Sequence, residues 1–162
     1  MTRNARLAND AWEALFRAQV VLIRTFTADD IWTDLTQTEY DVLYALAKAP
    51  DGLNMVEINR NLLITQGGVS RLVTRLQQRG LITRCADPSD ARATRISLTP
   101  EGARLQRSIG KAHADAVTAA MSRALTAEQM EQLRDLGRQI VAVIDPAQAE
   151  PHHTSHTRSR AR

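Results

Sequence analysis

Between Arg60 and Arg95 stand seven arginines and two aspartates, a balance of +5 in a chain whose formal total is +3. The rest of the chain is therefore net acidic, and the basic charge is gathered where it can meet a polyanion. Inside this stretch a helix is expected from Thr65 to about Arg79, with Gln66, Ser70, Arg71, Thr74, Arg75 and Gln78 on one face. Hydroxyls, amides and guanidinium forks are the groups that bond to phosphate oxygens and to base edges in a major groove. Arg71 and Arg75 lie one turn apart on that face, so at least one of them is expected to reach a base edge. Val69, Leu72, Val73 and Leu76 fall at helical spacing on the opposite face and give the helix a side to bury. Taken alone, the same pattern also fits an ordinary amphipathic surface helix with a solvated polar face. Arginine outnumbers lysine along the whole chain, which is a compositional bias as much as a functional one.

The neighbours of this helix narrow the choice. Asn54-Met55-Val56-Glu57 has the form of a helix start and opens a short preceding helix that offers Val56, Ile58, Leu62 and Leu63 for apolar contacts, and Thr65 is placed to cap the helix that follows. After Gly80 the chain turns. Leu81-Ile82-Thr83-Arg84 and Ala93-Thr94-Arg95-Ile96-Ser97-Leu98 then flank the polar loop Asp87-Pro88-Ser89-Asp90-Ala91-Arg92, which predicts a hairpin with a charged tip and with Arg95 on its second strand. Two short helices, a tight turn and an arginine-bearing hairpin are, in that order, the parts of a winged helix-turn-helix.

The remaining segments must hold this lobe. Trp12, Leu15, Phe16, Leu22, Ile23 and Phe26 form a stripe that predicts a first helix from about Asn9 to Thr27. Thr36-Gln37-Thr38-Glu39 has the capping-box form and starts a second helix that ends near Ala49, before Pro50-Asp51-Gly52. Thr99-Pro100-Glu101 starts a long alanine-rich helix to about Ala124. Thr126-Ala127-Glu128-Gln129 caps a last one, with Met130, Leu133, Leu136, Ile140, Val141 and Ile144 on its apolar side. The helices at the two ends carry apolar stripes that a small winged lobe cannot cover, and pairing with a second copy of the chain would bury them. A twofold dimer also sets two recognition helices in successive major grooves, about 10 base pairs apart, on a pseudo-palindromic double-stranded operator.

The expected fold is thus mainly α with a small β-hairpin wing. A winged helix-turn-helix lobe (35–99) follows an N-terminal dimerisation helix with its connection (1–34), and C-terminal dimerisation helices (100–145) come after it. Residues 146–162 hold no large apolar side chain and read as a disordered tail. At 162 residues and 43% apolar content the chain can form a packed core. No apolar run approaches the roughly 18 to 20 residues needed to cross a bilayer, and a cytoplasmic location is expected. Cys85 is the single cysteine, so an internal disulfide or a cysteine-pair zinc site is excluded. No phosphate-cradling glycine loop, HExxH pair or GxSxG elbow occurs, and neither an enzyme nor a cofactor or metal is expected. His152, His153 and His156 read as solvated tail residues and His113 as an exposed or dimer-facing one, while Cys85 reads as a small buried residue. Arg84 beside Cys85 keeps a second reading open, a thiol-based redox-sensing regulator. A winged-helix module that docks proteins and never grips DNA is the other alternative.

Three stretches carry a family resemblance: Leu35-Thr36-x-x-Glu39-x-x-Val42-Leu43, the run from Leu62 to Ile82 through Thr65-Gln66-Gly67-Gly68-Val69-Ser70-Arg71-Leu72-Val73, and the wing Asp87-Pro88-x-Asp90-x-Arg92 with its trailing Leu98-Thr99-Pro100-x-Gly102. On these motifs the chain, from about Asn9 to Ile144, resembles the MarR-type winged-helix regulators. The resemblance implies a homodimeric transcription factor, commonly a repressor released by a small aromatic or phenolic ligand held between the dimer helices and the DNA-binding lobe. It assigns Gln66, Gly67, Gly68, Ser70, Arg71, Thr74 and Arg75 to the major-groove helix. Arg92 falls at the wing position that enters the minor groove, with Asp90 as the acid that orients it. Trp12, Phe16, Trp32, Tyr40 and Tyr44 cluster in the helices that line the inducer pocket in that family; core packing is the commoner role for any one of them, and as a group they are the expected pocket wall. Asn59 departs from the pattern, which more often has a small apolar residue there.

Overall fold

The computed structural model describes residues 2–60, 62, 66–86 and 94–146. The helices are α1 (Arg3–Thr27), α2 (Gln37–Ala47), α3 (Met55–Arg60) and α4 (Gln66–Gln78), then α5 (Pro100–Ala124) and α6 (Ala127–Ile144) after the strands β1 (Ile82–Ala86) and β2 (Thr94–Leu98). The fold is mainly helical with one small hairpin, as the patterning predicts. Four starts come from the capping residues expected. At α3 the Asn54 side-chain oxygen accepts from the Glu57 amide (2.9 Å) while the Glu57 carboxylate accepts from the Asn54 amide (2.7 Å). Thr36 accepts from the Glu39 amide while Glu39 reaches back to the Thr36 amide, Thr126 and Gln129 do the same for α6, and Thr99 caps α5 ahead of a proline at the first position. The first helix is longer than its apolar stripe: it begins at Arg3, capped by the Thr2 hydroxyl. Its first turn holds arginine, asparagine and alanine, which have no apolar period to betray them.

One core joins the lobe. Val42 and Leu43 from α2, Ile58 from α3, Val69, Val73 and Leu76 from α4, and Leu53 and Ile96 from the hairpin side are all fully buried together. The expected apolar face of α4 is thus the buried one. At its end the Gly80 amide donates to the Gln77 carbonyl (2.9 Å) and the Leu81 amide to the Leu76 carbonyl (3.0 Å). Gly80 takes φ +70°. This is a Schellman cap, and its usual apolar pair is supplied by buried Leu76 and Leu81. It turns the chain straight from α4 into β1.

β1 and β2 pair antiparallel, Ile82 opposite Leu98 through Ala86 opposite Thr94. A third segment joins them: Leu53 and Ile96 exchange amide-to-carbonyl bonds of 2.9 and 2.8 Å, which ties the base of the wing to the turn after α2. Nothing in the sequence announces this bridge, because one pairing residue has no periodicity. The expected burial of Cys85 is not found. Only Ile82 of β1 is buried, and the thiol is exposed because among the described residues no layer lies over the outer face of the two-stranded sheet. Asn59, the departure noted above, is half-buried, and its side-chain oxygen lies buried with no hydrogen-bond partner among the described residues.

The Leu-Thr-Pro-x-Gly motif works as a joint between lobe and helices. The Thr99 hydroxyl accepts from the Gly102 amide (3.0 Å) and donates to the Gly80 carbonyl (2.7 Å), and the Thr99 amide donates to the Leu81 carbonyl (3.1 Å). A Cβ on Gly102 would stand 1.9 Å from the Leu81 oxygen. Gly102→Ala must therefore push α5 off the turn, and a loss of about 1 to 3 kcal/mol in unfolding free energy is expected. Urea denaturation tests this, and an unchanged midpoint would mean that α5 does not rest on that turn.

Candidate nucleic-acid interface

α4 brings the sequence-predicted contact residues onto one exposed strip. Gly67, Ser70, Arg71, Thr74 and Arg75 are exposed and Gly68 is half-buried, while Val69, Leu72, Val73 and Leu76 face inward. A Cβ on Gly67 would meet open space, so no contact inside the protein demands glycine there. The Thr74 hydroxyl donates to the Ser70 carbonyl (2.9 Å), which leaves its oxygen lone pairs turned outward. Gln66 opens the helix backbone, and Thr65, Asp90 and Arg92 lie outside the described residues. Arg95 is half-buried on β2, and its guanidinium donates to the Gly52 carbonyl (2.8 Å), fastening the wing to the same turn that Leu53 reaches.

Two arginines of the helix converge on one carboxylate. Arg75 Nε lies 2.8 Å and Arg79 Nη1 3.3 Å from Glu39 Oε1, and Arg79 Nη2 also donates to the Asp34 carbonyl. Glu39 Oε2 accepts from the Thr36 amide (2.8 Å) and hydroxyl (3.1 Å). The Glu39 side chain is 5% exposed, those of Arg75 and Arg79 58% and 37%. Burial pushes the Glu39 carboxyl up. The Thr36 hydrogen bonds and the Arg75 and Arg79 charges outweigh that effect and hold it below the ordinary carboxylate value. Sequence reading found Glu39 as a helix cap and missed this second role, since its partners lie 36 and 40 positions away.

The five aromatics expected at a ligand pocket separate into two groups. Trp12 and Phe16 stack on each other at 6.2 Å on α1, both exposed. Trp32 and Tyr40 meet at 5.6 Å, and Tyr40 stacks on Tyr44 at 5.9 Å. His113, expected at an exposed or dimer-facing position, is instead half-buried among Phe26, Trp32 and Tyr40, with ring centroids 5.3 to 5.6 Å away and a buried Nδ1 that has no hydrogen-bond partner among the described residues. Apolar rings draw it inward, as the alanine-rich surface of α5 leaves room for them. Beside this cluster a cleft of about 600 Å³ opens between α1 and α2, lined by Ile23, Thr27, Gln37, Asp41, Tyr44 and Lys48 among others. The Lys48 ammonium stands 4.2 Å over the Tyr44 ring. Burial pushes the Asp41 carboxyl up, with His113 pulling the other way. Of the five aromatics only Tyr44 lines this cleft, and Asp41 and Lys48 were not singled out from the sequence.

A helix-turn-helix whose second helix presents arginines and hydroxyls, followed by a hairpin wing, defines a winged helix-turn-helix protein. A MarR family model matches residues 33–93, which run from the approach to α2 into the wing. An uncharacterized HTH-type transcriptional regulator of Bacillus cereus is 38% identical over 77 residues, 47% of this chain and 50% of that protein. The chain thus spans about half the length of this curated relative. Among solved structures, Sco3205, a MarR family transcriptional regulator from Streptomyces coelicolor in complex with DNA, is similar over 93% of this chain and 94% of its own, at 28% identity and a TM-score of 0.72. CouR from Rhodococcus jostii RHA1, bound to p-coumaroyl-CoA, is similar over 86% and 95%, at 26% identity and a TM-score of 0.70. Among the described residues no helix is long and apolar enough to cross a membrane.

The lowered Glu39 value fixes the sign of an acid effect. Its stabilisation is present above about pH 4.3, the unfolded value, and is lost as pH falls through the lower folded value. The gap in urea midpoint between the wild type and Glu39→Gln should be widest near about pH 6 and shrink below about pH 4. A gap independent of pH would mean that the charge on Glu39 adds nothing to stability.

Proposed function

We propose that the chain acts as a homodimeric, sequence-specific DNA-binding regulator of transcription, a repressor released by a small aromatic or phenolic ligand. The observation that carries this reading is α4: an exposed strip of hydroxyls and arginines on a helix whose other face is fully buried, beside a wing anchored to the same core. Groups so placed enter a major groove, with phosphate contacts setting position and base contacts setting sequence. The described relative in complex with DNA supports the same reading.

Dimer formation is supported by the arms. α1 buries only Phe26 and α6 buries nothing, while Leu7, Trp12, Leu15, Phe16 and Val21 on one and Leu136, Ile140, Val143 and Ile144 on the other are exposed. Two helices of 25 and 18 residues do not leave such faces in water unless another surface covers them. The dimer should sediment as two chains and bind one duplex, with log affinity falling against log salt at a slope steeper than about −4, each neutralised phosphate contributing about −0.9. Ile140→Glu should sediment as one chain and lose the duplex. A slope near zero, or tight DNA binding by a single chain, would overturn the proposal.

Ligand release is supported by the cleft between α1 and α2, whose size suits a small molecule. Lys48 offers a cation to a carboxylate, Tyr44 a face to an aromatic ring, and Asp41 an acceptor to a hydroxyl. A ligand acts as a switch only by binding the DNA-incompetent arrangement more tightly, and DNA must weaken the ligand by the same factor. Trp32 contacts Tyr40, which stacks on Tyr44. Aromatic acids that bind should therefore change tryptophan fluorescence and weaken the duplex, with Lys48→Ala abolishing both effects. Ligands that alter the fluorescence yet leave DNA affinity unchanged would show that the cleft is no switch.

A further inference from the structure

The two oxygens of Glu39 serve different elements. Oε2 closes the capping box of α2 with Thr36, and Oε1 takes Arg75 Nε and Arg79 Nη1 from α4. The two arginines are not equivalent. Arg79 divides its guanidinium between Glu39 and the Asp34 carbonyl, which is enough to tether the end of α4 to the start of α2. Arg75 gives Glu39 only its Nε–H, and its side chain stays 58% exposed. A guanidinium has five N–H donors in a rigid plane. With Nε given to Glu39, the two terminal nitrogens take no other partner among the described residues and stay available as a fork. Arg71, one turn earlier on the exposed strip, has no hydrogen bond or ion pair among the described residues and must be ordered when DNA arrives.

We propose that Glu39 is the positioning residue of the DNA-reading surface: through Arg75 Nε it sets the plane of that guanidinium in advance and leaves the terminal fork to make a bidentate contact with a guanine edge. The inference rests on the DNA-binding reading given above. Bidentate pairing to the O6 and N7 of guanine needs a coplanar fork, and an arginine already fixed in its bound orientation loses less freedom on binding. Because the buttress is a buried carboxylate and the fork is exposed, the arrangement raises discrimination between sequences more than it raises general affinity. A negative charge beside the DNA even opposes general affinity.

The test uses the duplex enriched from a random library by the full wild-type chain, compared with a scrambled duplex at one salt concentration by fluorescence anisotropy. Glu39→Gln keeps the cap, since glutamine serves the same capping position, and thermal melting checks that it folds. The ratio of scrambled to enriched dissociation constants should fall about tenfold, with binding to the scrambled duplex unchanged or tighter. In an Arg75→Ala background the same substitution should change the ratio no further. Equal weakening of both duplexes, or a wild-type ratio, would overturn the inference, because a purely structural Glu39 would act on both alike. Should Glu39→Gln not fold, Arg75→Lys keeps a cation beside Glu39 without the planar fork and must give the same collapse of the ratio. A wild-type ratio in that variant overturns the inference equally. If the wild type enriches no duplex, the DNA-binding reading falls and this one with it, whereas an enriched duplex with an insensitive ratio removes this one alone.

Discussion

Every element of the lobe meets at one apolar junction, where Val69, Val73 and Leu76 of α4 lie against Val42 and Leu43 of α2, Ile58 of α3 and the Leu53–Ile96 bridge. Each such side chain contributes about 1.5 to 3 kcal/mol on leaving water. The number of contributors matters less than their direction. Because the inward face of α4 is fully occupied, the helix cannot roll, and the polar strip opposite is aimed by the core. The exposed residues of α4 make few contacts with one another and need none to be presented.

Polar contacts then set what packing leaves loose. Apolar surfaces slide at small cost, whereas Glu39, Arg75 and Arg79 meet at defined distances inside a half-dry crevice. A buried carboxylate left without its cations would carry a large desolvation penalty, so the group holds α2 and α4 to one separation. On the wing side, Arg95 on the Gly52 carbonyl and Leu53 on Ile96 do the equivalent work. Gly52 fits this corner for two reasons: its φ is +77°, and a Cβ there would lie 2.5 Å from the Ser97 hydroxyl and 2.7 Å from the Ile96 carbonyl.

What could be read from the sequence was local. Thr36 with Glu39, Thr99 with Pro100, Thr126 with Gln129 and the period of Val69, Leu72, Val73 and Leu76 are signals within four residues of one another, and elements follow them closely. What could not be read joins distant segments. Glu39 to Arg75, Leu53 to Ile96 and Gly102 to Leu81 leave no periodic trace, and the first two use residues that have an evident local role already. Solvent exposure was misjudged where it depends on tertiary neighbours: Cys85 lies open because no described residue covers that face of β1, and His113 lies among three rings. The aromatic group split for a related reason. Trp12 and Phe16 share the stripe of α1 with Phe26 but lie about three to four turns nearer its start, where both are exposed, and how far along a helix its neighbours reach is known only from the fold.

α5 is held along its first half. Its first turn is locked to Gly80 and Leu81 by Thr99 and Gly102, Ile109 is buried in the core of the lobe and His113 sits among Phe26, Trp32 and Tyr40, while the residues from Ala114 to Ala124 run on toward the arms. At 1.5 Å per residue the helix is a rod about 37 Å long. A tilt of about 5° of the lobe together with this rod would carry the rod's far end about 3 Å sideways, and the same lever works in reverse. A small change of angle between two arms would swing each lobe by a comparable amount, which is large against the fit of a helix in a groove about 12 Å wide.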